Sequence, residues 1–204
     1  MADRPILFSG PMVRALLDGR KTQTRRAIKA PTARGGFILS FNHGIPEFNF
    51  GPDDRKPNGD LRWHSCPYGQ PGDLLWVRET FSQHPQFADL AYKADDDGDG
   101  FEDSDGFLWE PKYSPSIHMP RALSRLTLRI TDVRVQRLQE CSNEDAVAEG
   151  IGTPTDMRYA TVDGYRPLWE SINGAGSWDA NPWVWALTFE VIKANVDSVE
   201  VPRG

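Results

Sequence analysis

Between Ser124 and Leu138 the chain alternates by side-chain character, with Leu126, Leu128 and Ile130 on one side and Arg125, Thr127 and Arg129 on the other. Successive side chains of a strand point to opposite faces, so this run buries one face only as part of a sheet. The phase slips near Asp132, as an extra residue in the strand would cause, before Val133 and Val135 resume it. A second alternation, through Trp183, Trp185, Leu187, Phe189 and Val191, marks a strand over Trp183 to Ile192. A shorter buried strand is expected from Asp73 to Phe81, where Leu74, Leu75, Trp76 and Val77 follow the Pro71-Gly72 turn.

The helices are short. Ser9 can cap a first one, Pro11 fits its opening turn, and Val13, Leu16 and Leu17 give it one apolar face. Gly19 stands where a left-handed residue ends such a helix, and residues 20–30 read as a turn leading into a polar strand. Ser142 caps another helix running to Glu149, with Gly150 just beyond, and a third covers Arg166 to Ile172. Two long excursions interrupt this pattern, at about 31–67 and 82–117; the first is rich in Gly, Pro and Asn, the second acidic in its middle. A chain of 204 residues suits one domain spanning 1–204. Its expected class is α+β: a small β-barrel with short flanking helices and long loop insertions.

Charge and composition narrow the functions available. No apolar run approaches the ~20 residues that span a bilayer, and the opening Met-Ala-Asp-Arg-Pro lacks the apolar stretch of a signal peptide. Cys66 and Cys141 form neither a metal pattern nor a disulfide framework, so a cytoplasmic protein without membrane contact is expected. The net charge of -6 argues against a general polyanion binder. Residues 1–34 nevertheless hold eight basic side chains against two acids, while residues 95–110 hold eight acids and no base. A basic patch on an acidic body suits a small anionic or nucleobase ligand better than a long duplex.

The segment Gly19-Arg20-Lys21-Thr22-Gln23-Thr24-Arg25-Arg26 carries the candidate chemistry. Burial lowers the pKa of a lysine and leaves an amine able to take a proton, and a base beside a threonine hydroxyl makes it a nucleophile. Lys21 and Thr24 are three residues apart, which in a regular strand puts them on opposite faces. They meet only if Lys21 still lies in the turn after Gly19 or if the strand is bulged. The same residues also fit a polar edge strand with its cations in water. Glu149, at a helix C-terminus, faces the unfavourable end of the dipole and calls for a cation across a pocket, unless it is simply exposed.

Other motifs lead nowhere. The run from Asp95 to Gly100 starts like a calcium loop, but its twelfth position is Gly106 rather than a bidentate glutamate. Trp183 and Trp185 share the phase of Leu187 and Phe189 and read as core, as does Trp76 in its apolar strand. His43, His64, His84 and His118 have no ligand spacing.

Taken together, several blocks resemble the ASCH domain family, whose barrel is related to PUA domains. They are Pro5-Ile6-Leu7-Phe8, Leu17 to Arg26, Tyr68 to Asp73 with Trp76 to Thr80, Met119-Pro120 through Arg125, Asp145 to Gly150, and Asn181 to Trp185. The resemblance is to the longer form carried by bacteriophages and prophages. It implies a PUA-like barrel, and function varies across the family. One branch hydrolyses N(4)-acetylcytidine and related acylated cytosines with a Lys, a Thr and a later helix Glu. Those roles fall on Lys21, Thr24 and, through the Ala146 to Glu149 spacing, on Glu149. Arg20, Arg26 and Trp76 are then expected to contact the substrate, a small nucleoside, with no metal or other cofactor and with weak or no nucleic-acid binding. The other branches imply a noncatalytic module for RNA or modified nucleic acid, or a ribonuclease using Arg20, Arg25, Arg26 and Lys29.

Overall fold

The computed structural model describes residues 2–28, 38–42, 45–49, 65–84, 88–152 and 161–200. Strand β1 (Asp3–Leu7) enters helix α1 (Gly10–Leu17), and β2 (Gln23–Ala27) follows directly. Ser9 takes the extended N-cap conformation without a side-chain cap bond, and Gly19 closes the helix at φ +72°. After the hairpin β3 (Ile38–Asn42) and β4 (Ile45–Asn49) comes β5 (Leu74–Arg78). The excursion at 82–117 carries two small hairpins, β6 (Phe81–Gln83) with β7 (Leu90–Tyr92) and β8 (Phe101–Glu102) with β9 (Leu108–Trp109). The excursion at 31–67 lies mostly outside the described residues.

The long strand β10 (Thr127–Arg137) and the last strand β11 (Trp183–Ile192) pair antiparallel along their lengths, with a register shift between Ile130 and Asp132. The order of the main sheet is β1-β5-β10-β11-β2, with β1 parallel to β5 and every other pair antiparallel. The α+β class is as expected, whereas a closed barrel is not formed among the described residues. There β1 and β2 remain edge strands, and no ladder joins them. At their ends the Arg26 guanidinium donates to the Leu7 carbonyl at 2.7 Å. A single side chain bridges the gap that a ladder would have to fill.

Period two explains where the core lies. On one face of the sheet Trp185, Leu187 and Phe189 join Leu126, Leu128, Ile130, Leu75 and Val77 against Val13 and Leu16 of α1. Val184, on the opposite face of β11, packs instead with Leu138, Cys141, Ala146, Tyr165, Trp169 and Trp178. That second cluster is covered by α2 (Asn143–Ala148) and α3 (Val162–Asn173). Helix α2 starts on a reciprocal capping box between Ser142 and Asp145. Helix α3 is longer than the expected Arg166 to Ile172: it starts at the Thr161 cap, so Pro167 lies in its interior rather than near its beginning. No helix among the described residues is long and apolar enough to cross a membrane.

Candidate active site

Lys21 does not belong to β2. Its backbone N–H still donates to Ala15 at the end of α1, at 3.0 Å, and its backbone bridges to Glu149. The strict alternation of β2 therefore does not govern it, and it reaches the same cleft as Thr24, which sits in the ladder opposite Leu187. The cleft has a volume of about 440 Å³, a size that suits a small-molecule ligand. Its polar floor includes Lys21, Thr24, Arg25, Arg26 and Glu149; Phe8, Met12, Tyr165, Leu168 and Trp169 give apolar walls.

Glu149 arrives at this floor as the C-cap of α2, and Gly150 behind it turns the chain at φ +86°. A side chain at position 150 would meet Ala15 Cβ at 2.9 Å and Lys21 Cβ at 3.1 Å, so a glycine is what allows α2 to press its end against the lysine. The buried Lys21 ammonium donates to the Glu149 carbonyl at 2.8 Å and to its carboxylate Oε2 at 2.9 Å. The other carboxylate oxygen, Oε1, accepts from Arg25 Nη1 at 3.1 Å. The cation opposite Glu149 that the helix dipole calls for is thus a pair, Lys21 and Arg25.

Burial is the largest influence on Lys21 and pulls its pKa below the ordinary 10.5. Glu149 opposes the shift by charge and by hydrogen bond, while Arg26 and Arg25 reinforce it. The geometry matches a group that exchanges protons. As a neutral amine, Lys21 has two N–H bonds, both taken by Glu149, and a lone pair left over; as an ammonium it has a third N–H to give. The Thr24 hydroxyl makes no hydrogen bond among the described residues, to Lys21 or to any other group, although Thr24 is itself buried.

The substrate-contact candidates divide. Arg26 lines the cleft with its guanidinium 5.1 Å from the centre of the Phe8 ring, and Lys21 Nζ lies 5.5 Å from the same ring. Arg20 points away from the floor and donates to the carbonyls of Gly150 and Gly152 and to Asp18, tying down the chain after α2. Trp76 stays within β5, opposite Pro5 and Thr127, with the Arg78 guanidinium 5.4 Å from its ring, and does not line the cleft. Of the basic set Arg20, Arg25, Arg26 and Lys29, Arg25 is buried and Lys29 lies outside the described residues. Sequence reasoning passed over Arg25 as a partner of Glu149 and over Tyr165 and Trp169 as walls. The carboxylates Asp145 and Glu149, four residues apart on α2, were the available sign that a cation should face them.

No protein-family model matches the chain, and no curated protein matches it. The crystal structure of protein EF3133 from Enterococcus faecalis, of family DUF984, is similar over 98% of this chain and 86% of that one, at 11% identity and a TM-score of 0.41. This remote likeness carries no information about activity.

Proposed function

We propose that the protein is a metal-independent amidohydrolase that removes acyl groups from the exocyclic N(4) of cytosine nucleosides, on a PUA-like frame of the ASCH type. One observation carries the reading: a buried lysine with lowered proton affinity, held by a helix-end carboxylate, shares a cleft of nucleoside size with the buried Thr24. Lys21 takes the Thr24 hydroxyl proton as the oxygen attacks the acyl carbon. The tetrahedral adduct collapses, the C–N(4) bond breaks, and the Lys21 ammonium returns the proton to the leaving amine. Water then attacks the acyl-threonine ester, giving up its proton to Lys21; the ester C–O bond breaks, Lys21 returns the proton to the Thr24 oxygen, and the acid departs.

Arg26 is the cleft cation best suited to a carbonyl oxygen of the substrate, since Lys21 and Arg25 are already held by Glu149. Phe8, Tyr165 and Trp169 supply apolar walls for a base. Incubating the purified protein with N(4)-acetylcytidine, and separately with RNA, tests the reading. Release of cytidine and acetate in the presence of chelator is expected. Failure to turn over any acylated cytidine, with RNA bound or cleaved, would replace it by the binding-module or ribonuclease reading.

A further inference from the structure

We infer that Arg25 is a positioning residue of this site, holding one carboxylate oxygen of Glu149 so that the other serves Lys21, with Asp145 balancing its charge. The inference rests on the reading of Lys21 and Glu149 as the reacting pair. Arg25 is the middle residue of β2, opposite Ala186, and its side chain is 0% exposed. Nη1 donates to Glu149 Oε1 at 3.1 Å and to Gln23 Oε1 at 2.6 Å, while Nη2 lies 2.7 Å from Asp145 Oδ2 as an ion pair without hydrogen-bond alignment. Asp145 and Glu149 stand four apart on α2 and face the same guanidinium. The result is a chain of alternating charge, Asp145, Arg25, Glu149, Lys21, in which each inner member has a partner on either side. A planar fork suits this arrangement, because one of its ends donates to Glu149 while the other lies in ion-pair contact with Asp145.

The arrangement has a chemical consequence. A carboxylate shared between two cations holds each proton less firmly than one reserved for a single ammonium. Burial is the largest influence lowering the proton affinity of Lys21, and Arg25, with Arg26, adds to it against the attraction of Glu149. The other groups facing the pair leave Lys21 as the titrating member. Arg26 adds to the lowering of Lys21, burial pushes Cys141 up to about 11, Tyr165 is pushed up as well, and Asp145 is held low by Arg25 once its own burial is overcome. Removing Arg25 should raise the proton affinity of Lys21, and neutralising Asp145 should lower it, because Arg25 is then less compensated. Charge alone gives this opposition of sign, so what distinguishes positioning is Arg25→Lys, which keeps the charge and loses the planar fork.

The test is a titration of the lysine 13Cε resonances in wild type, Arg25→Met, Arg25→Lys and Asp145→Asn, with Lys21→Arg to assign the signal. Turnover of N(4)-acetylcytidine is followed against pH alongside it. The expected midpoint for Lys21 rises in Arg25→Met, stays near wild type in Arg25→Lys, and falls in Asp145→Asn. In Arg25→Lys kcat drops while KM holds, because charge remains and the fork is lost. An unmoved midpoint in folded Arg25→Met, or a shift of the same sign in Arg25→Met and Asp145→Asn, overturns the inference. If Arg25→Met does not fold, an unmoved midpoint in Asp145→Asn overturns it equally. Opposite shifts without turnover keep Arg25 and Asp145 as the charge partners of the Lys21–Glu149 pair and remove the hydrolase reading; turnover without shifts does the reverse.

Discussion

The Lys21 ammonium donates to two oxygens of one residue, the backbone carbonyl and the carboxylate of Glu149. The carbonyl fixes where the amine sits, and the carboxylate decides how readily it carries a proton. These two roles can be separated by substitution.

Glu149→Gln keeps the carbonyl and the shape while removing the charge. Turnover of N(4)-acetylcytidine is expected to fall by about 10²-fold or more with little change in KM, since the lysine stays in place but loses its counter-charge. Glu144, one turn earlier, is exposed, so Glu144→Gln should be kinetically silent. Loss of activity in Glu144→Gln alone would mean that the wrong carboxylate has been assigned.

Thr24→Ala tests the covalent step. The hydroxyl has no hydrogen-bond partner among the described residues, so its loss leaves no buried donor stranded, and the fold should persist. Turnover should vanish, together with any acyl-enzyme seen by mass spectrometry after rapid quench. Near-normal turnover would assign the attack to a water activated by Lys21.

Lys21→Met should change how stability depends on pH. The native state lowers the lysine pKa from 10.5, chiefly by burial, so between the lowered value and 10.5 the unfolded chain binds more protons than the folded one. Stability of the wild type from this group therefore rises with pH across that window. Denaturant titrations at several alkaline pH values should show this slope in the wild type and its loss in Lys21→Met. A parallel pH dependence of the two proteins would show that Lys21 keeps its ordinary proton affinity.

The frame of the site was more legible in the sequence than its electrostatics. Alternation with period two marked β10 and β11, and even the slip near Asp132 appears as the register shift between Ile130 and Asp132. Periodicity reports which faces are buried, but it does not say whether the edges of a sheet meet, so barrel closure was not readable. Nor could spacing within β2 show that Lys21 precedes the strand, since that depends on its N–H staying with Ala15. The acidic partners of Arg25 lie more than a hundred residues away, as does that of Lys21. Arg125 was read only as lying on the side opposite Leu126, and there it grips the buried Glu79 with two bonds, at 2.9 and 3.0 Å, and covers the Tyr92 ring at 3.9 Å. Such long-range pairing leaves little local signature.

Gly150→Ala should damage the site through space rather than charge. The new Cβ would press on Ala15 and on the stem of Lys21, at a φ of +86° that already disfavours it. Gly19→Ala is the control, because position 19 also has positive φ, +72°, but open space around it. Both variants should lose roughly 1 kcal/mol or more to backbone strain, measured by denaturant unfolding. Only Gly150→Ala should also lose turnover per folded molecule, and equal turnover in the two would dissociate the close approach of α2 from catalysis.

Salt dependence separates a nucleoside enzyme from a nucleic-acid reader. A reader that neutralises several phosphates shows affinity falling with salt at a slope of about -0.7 per contact on single strands. The basic residues near the cleft are mostly engaged internally: Arg25 with Glu149 and Asp145, Arg20 with Asp18 and two carbonyls, Lys21 with Glu149. Few cations are left to follow a phosphate track, and the chain as a whole carries a net charge of -6. Weak RNA binding that disappears by physiological salt is therefore expected, while deacylation of a neutral nucleoside should continue there almost unchanged. Filter binding or anisotropy across a salt series, run beside the turnover assay, measures both. Tight RNA binding with a steep slope, and no turnover of acylated cytidine at any salt, would reverse the order of the two readings.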